Sequence, residues 1–139
     1  MNYKIIGKYI KDLNFKIPNT KTFFSLNKNI INYKINIDIK SSQVEKNIIE
    51  VFTSINLIPL KKDFEKIDTK VVMATVIELI NDQINKTELE KIILINIPTE
   101  IYSELRETFI NLFEKSGFKE IKISKTVDFE KLYNLKKVQ

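Results

Sequence analysis

The side chains that could do chemistry are few. Close carboxylate pairs occur at Asp63/Glu65 and Glu88/Glu90, a residue type and spacing that general acid–base catalysis can use. That use requires a buried carboxylate whose pKa is pushed away from its partner's, and both pairs fall in charged tracts that read as solvated surface. The sequence holds no cysteine and no histidine. Thiol nucleophiles, disulfides, zinc clusters and imidazole proton transfer are therefore excluded. Gly7 and Gly117 are the only glycines, so no phosphate-cradling loop or dinucleotide fingerprint can be written. The expectation is a protein that is not an enzyme and carries no cofactor and no metal.

Charge leaves one other chemistry open. The formal net charge is +5, and all but Arg106 of the 23 basic residues are lysine. A basic nucleic-acid-binding domain is the alternative this permits, with an affinity that would fall steeply with salt. Against it, lysines interleave with acids, as in Lys61-Lys62-Asp63-Phe64-Glu65-Lys66, and the guanidinium groups that suit phosphate and base edges are scarce. A solvated mixed-charge surface, with no nucleic acid bound, is the reading adopted.

The elements that must position these residues fit a single domain over 1–139. No run approaches the roughly 20 apolar residues of a spanning helix, and the N-terminus lacks the apolar core of a signal peptide. A cytoplasmic protein without membrane insertion is expected. Pro18-Asn19 and scattered aromatics in the first 30 residues suggest an extended segment crossing the body. Tyr33 to Lys40 alternates apolar and polar residues, as a half-wet strand does, and Ser41-Ser42-Gln43 reads as a turn. Further strands are expected over Asn47–Ile58, Lys70–Ile80 and Lys91–Ile97, ending in turn at Pro59 and Pro98, with Lys61–Lys66 as a loop.

The period then changes. Thr99 is a candidate N-cap, and Tyr102, Leu105, Phe109, Leu112 and Phe113 step by three or four along one helical face. Gly117 suits the cap that ends this helix. Phe118–Ile123 alternates again, and Asp128 can cap a short second helix reaching Lys136. Strands followed by helices predict an α+β fold: a four-stranded antiparallel sheet, a long helix and a short C-terminal helix.

Two helices cover one sheet face, yet the Asn47–Ile58 strand is apolar on both: Ile49, Val51, Ile55 and Leu57 on one side, Ile48, Phe52 and Ile58 on the other. The surplus belongs either between subunits or in a groove for another chain. The aromatic helix face carries too much apolar surface to stay wet, so Tyr102, Leu105, Phe109, Leu112 and Phe113 are expected at least partly in an oligomer interface.

Specific tracts carry a resemblance. Tyr9-Ile10-Lys11-Asp12-Leu13-Asn14-Phe15-Lys16-Ile17-Pro18-Asn19 resembles the opening tract of the SecB family of protein-export chaperones. Pro98, Tyr102 and Arg106 match the start of that family's long helix, with Ser103 and Glu104 departing from it. Gly117-Phe118, Val127-Asp128-Phe129 and Leu132-Tyr133 resemble its closing segment, with Lys119 and Glu120 replacing paired prolines. Ser41-Ser42-Gln43 also falls where some members carry the same tripeptide.

The resemblance implies a homotetramer, built as a dimer of dimers, that holds unfolded precursor proteins in apolar grooves for the Sec pathway and docks on the motor SecA. Together with the surplus apolar surface, it assigns peptide binding to Ile35, Ile37, Ile39, Phe129, Leu132 and Tyr133. SecA docking is implied at Asp12. The acid expected four residues on is Lys16, and no acid falls in register near Ala74–Thr75. Ile77-Glu78-Leu79-Ile80 also replaces a glycine-containing step. Docking is therefore expected to be weak or non-standard, and a SecB-like chaperone dedicated to one client, such as an antitoxin, is the alternative.

Overall fold

The computed structural model describes residues 2–81, 83–118 and 121–138. Strands β1 (Tyr3–Lys16), β2 (Tyr33–Glu45), β3 (Ile48–Pro59) and β4 (Asp68–Leu79) form one antiparallel sheet in the order β1-β4-β3-β2. Helix α1 (Thr20–Asn29), a 3-10 turn (Ile30–Asn32), helices α2 (Lys86–Lys91) and α3 (Ile97–Lys115), and α4 (Phe129–Val138) complete the fold. The expected α+β architecture is present, with two strand assignments changed.

The fourth strand is β1, not Lys91–Ile97. Its helix-facing register positions are Tyr3, Ile5, Lys8, Ile10, Leu13 and Phe15, opposite Leu79, Ile77, Thr75, Met73, Val71 and Thr69. Register shifts between Ile5 and Gly7 and between Ile10 and Asp12 break the period of two, as β-bulges do. The segment expected to cross the body is therefore an edge strand followed by α1.

Lys91–Ile97 is helical. Asn85 caps α2, its Oδ1 accepting from Glu88 N at 2.8 Å, and a π-helical turn (Ile92–Asn96) runs on into α3. There the Ile97 N–H donates to the Ile92 carbonyl. The wider turn lets Pro98 stand at the start of α3 without the usual clash and lost bond. Thr99 is not a cap but lies inside the helix, its hydroxyl donating to Ile95 O at 2.5 Å. The continuous apolar run of residues 92–95 does not distinguish strand from helix by period.

Two smaller expectations also change. Ser41-Ser42-Gln43 continues β2, paired with Val51, Glu50 and Ile49. The turn comes later, where Asn47 takes φ 69°, a region asparagine tolerates better than most side chains. Residues 121–128 are irregular rather than strand, and positions 119 and 120 lie outside the described residues.

The α3 terminus follows expectation. Gly117 adopts φ 95°, Phe118 N donates to Phe113 O at 3.0 Å and Gly117 N to Glu114 O at 3.1 Å. Both bonds satisfy carbonyls that a helix end leaves open.

The core lies between the sheet and α3. Phe109, Phe113 and Leu105 pack in one cluster with Ile55, Val71 and Met73, joined by Leu26 of α1. A second cluster gathers Tyr3, Val51 and Ile77 around Ile92 and Ile97. This corrects the interface assignment. Tyr102, Leu105, Phe109 and Phe113 are at most 3% exposed within the single chain, and Leu112 alone of the five is only half-buried. The face expected between subunits is internal because the sheet covers it.

Candidate functional site

Alternation along β2 turns Ile35, Ile37 and Ile39 toward the helices, where Ile35 and Ile37 border the first cluster and Ile39 the second. All three stay half-buried because β2 is an edge strand. Helix α4 closes the other side. Asp128 caps it, Oδ1 accepting from Lys131 N at 3.0 Å, which is the role its position suggested. Phe129 and Tyr133, four residues apart, are buried, whereas Leu132 and Leu135 are about half exposed.

Helix α4 is fastened to both α3 and α2. The Phe129 ring meets the Tyr102 ring edge-on with centroids 6.0 Å apart. The Tyr133 hydroxyl donates to Glu90 Oε2 at 3.1 Å. The connecting segment is gripped as well: the Tyr102 hydroxyl donates to Ser124 O at 2.7 Å, and Arg106 Nε and Nη2 donate to Ile123 O at 3.1 and 3.0 Å. Burial raises the Tyr102 pKa, an effect opposed by the neighbouring Arg106 cation.

Between β2 and α4 runs an open groove of about 290 Å³ lined by Ile37, Asp38, Ile39, Leu94, Phe129, Leu132, Tyr133 and Leu135. Five of the six residues assigned to peptide binding meet there. Ile35 does not; it faces an adjoining depression of about 270 Å³ with Ile30, Tyr33, Leu57 and Ile121. The sequence reading missed Leu94 and Leu135. Leu94, Ile97, Ile101 and Leu105 continue the α3 spacing backwards, a signal hidden inside an apolar run taken for a strand. Leu135 stands three residues after Leu132, one turn along the same helix.

Asp12 and Lys16 lie on the opposite sheet face and are not brought together. Four residues of strand separate them by roughly 13 Å, beyond the screening length of about 8 Å at physiological salt. Lys16 is instead opposite Asp68. The cations sharing a shallow depression with Asp12 are Lys11, Lys40 and Lys70, alongside Asp38 and Phe52. Lys11 Nζ stands 4.0 Å from the Phe52 ring centroid. Other acids on this face have partners of their own. Glu50 accepts from the Tyr9 hydroxyl, and Glu78 pairs with Lys4 at 3.3 Å. The face is a balanced mosaic of charge.

The carboxylate pairs take structural partners. Glu65 accepts from the Thr22 hydroxyl at 3.3 Å, and Glu88 accepts from the Asn2 side chain. Among the described residues no cluster of three or more acidic side chains is placed to hold a metal ion, and no helix is long and apolar enough to cross a membrane.

The open edge of a small sheet and the apolar wall of a separate helix thus leave a groove between them. The SecB family, described as preprotein translocase subunit SecB, matches residues 1–139, and the chain belongs to it. A Pelagibacter ubique protein named as a protein-export protein SecB is 38% identical over 132 residues, covering 95% of this chain and 94% of that one. The protein-export protein SecB of Aromatoleum aromaticum is 24% identical over 132 residues, covering 94% and 80%. Among solved structures, the Mycobacterium tuberculosis SecB-like chaperone Rv1957, in complex with a ChAD peptide from the Rv1956 HigA1 antitoxin, matches with a TM-score of 0.62. It covers 91% of this chain and 88% of that one, at 11% identity, which is a likeness of fold.

Proposed function

We propose that this export chaperone holds unfolded precursor polypeptides in the groove between β2 and α4, without chemistry of its own, in the cytoplasm. The carrying observation is the convergence of Ile37 and Ile39 with Phe129, Leu132 and Tyr133 on one open apolar channel. Apolar side chains of a client fill such a channel, and the free backbone of an edge strand lies beside it. Leu132, being exposed, can be changed without cutting into the core. Leu132→Ser should weaken capture of an unfolded polypeptide about tenfold, taking roughly 1.5 kcal/mol for a large apolar contact, with the thermal midpoint unchanged. Undiminished capture would overturn the assignment.

The assembly is a homotetramer whose contacts include the seam between β1 and α3. Lys8 bridges to Glu104 at 2.9 Å and the Phe15 and Phe113 centroids lie 4.8 Å apart, so β1 runs beside α3 between these points. Ile10 and Leu13 fall in that interval and remain nearly half exposed. Docking to SecA uses the outer sheet face around Asp12, with Lys16 at its far end, and is weak because the local cations offset the acid. Titration calorimetry with a basic tail peptide should show weak, salt-sensitive binding; tight binding would refute the charge argument.

A second reading, a chaperone dedicated to one client such as an antitoxin, is favoured by the fold shared with a SecB-like chaperone solved with an antitoxin peptide. It predicts one peptide that outcompetes generic unfolded chains in the same capture assay.

A further inference from the structure

Tyr102 and Arg106 stand one turn apart on α3 and take hold of consecutive carbonyls, Ser124 and Ile123, in the segment leading into α4. Neither side chain lines the groove. Tyr102 nevertheless touches Phe129, which does. The Arg106 contact is a fork: Nε and Nη2 converge on a single carbonyl oxygen. A planar guanidinium presents two N–H groups in fixed relation, whereas an ammonium offers a point charge on a flexible stem. Arg106 is also the only arginine in a chain of otherwise lysine cations. A lysine would meet any need for plain positive charge, so the guanidinium stands where its shape is used.

We infer that Arg106 and Tyr102 are positioning residues that set how tightly the groove grips a client, by fixing the seat of α4 against β2. The inference rests on the groove reading above. Loosening either bond frees the 121–128 segment, lets α4 swing with Phe129 and Leu132, and widens the channel. Client release accelerates while the sheet stays folded.

The test combines hydrogen exchange on the free protein with binding of reduced, carboxymethylated α-lactalbumin as the unfolded probe. Arg106→Ala should weaken capture roughly tenfold, as loss of a charged hydrogen bond does, chiefly through faster release. Arg106→Lys should restore part of the affinity, since an ammonium can replace one bond but not the fork. Tyr102→Phe keeps the ring on Phe129 and loses one neutral bond, for about a threefold loss. It carries the test alone if Arg106→Ala does not fold. In each variant α4 amides should exchange faster while β3 and β4 amides keep their protection. Unchanged α4 exchange overturns the inference, and so does a loosened α4 with undiminished capture. Leu132→Ser separates the two readings. If it weakens capture while the clasp variants do not, the groove stands and the clasp falls. If neither weakens capture, both fall together.

Discussion

Thr53 and Thr75 are fully buried, and their hydroxyls have no hydrogen-bond partner among the described residues. They sit in the central strands on the helix side, Thr53 opposite Met73 and Thr75 opposite Val51. An unmatched buried hydroxyl costs about 1–3 kcal/mol. Thr53→Val should therefore raise stability by about 1 kcal/mol in urea denaturation, whereas Thr53→Ala should lower it by opening a cavity. A loss of stability on Thr53→Val would show that the hydroxyl is satisfied after all. At this scale the sequence was informative where a residue's role is local. Asp128 caps α4 and Gly117 ends α3 because capping and positive φ demand particular side chains. Asp12 and Lys16 illustrate the opposite case. The resemblance puts both in one docking tract, but an extended strand holds them apart, and β1, β2 and β4 bring Lys11, Lys40 and Lys70 around Asp12.

Among the elements, β2, β3, β4, α3 and α4 were legible because each keeps one period over most of its length. The two strand assignments that changed are those where the period breaks. β1 changes face at each bulge, so its apolar positions fit no simple alternation, and the π turn interrupts the helix inside an unbroken apolar run. That turn also sets geometry. It aligns α2 so that Glu90 meets Tyr133 while Leu94 enters the groove. Deleting Ile95 should restore α-helical pitch and rotate α2 by about 100° relative to α3. Ile92 would then leave its core cluster, at a cost of about 2 kcal/mol, and Leu94 would leave the channel. Urea denaturation should read the first effect and reduced capture of an unfolded chain the second. Wild-type values in both would mean that the π turn has no structural role.

Over the whole molecule, the apolar surplus inferred from the strand patterns is distributed differently from the expectation. The aromatic face of α3 is consumed by the sheet, and the exposed apolar residues include Ile6, Tyr9, Ile10 and Leu13 of β1. Periodicity could show that a helix face is apolar, but not that a strand unrecognised in the sequence would complete the sheet that covers it. Light scattering at micromolar concentration should give a tetramer's mass, and Ile10→Glu with Leu13→Glu should reduce it while circular dichroism stays unchanged. A monomeric parent, or a variant that keeps the parent's mass, would refute the β1 seam. The strand order has one more consequence. The sheet ends in two dissimilar edges, β1 and β2. An edge that meets its own copy about a two-fold axis closes, using that edge in each molecule and leaving the other bare; β1 of one molecule meeting β2 of the next would leave an open end and grow into a filament. The two bulges of β1, and the register shift of β2 between Gln43 and Glu45, spoil the fit of one edge to the other. A sheet with a bare edge on each side thereby avoids becoming the seed of a fibre made of itself.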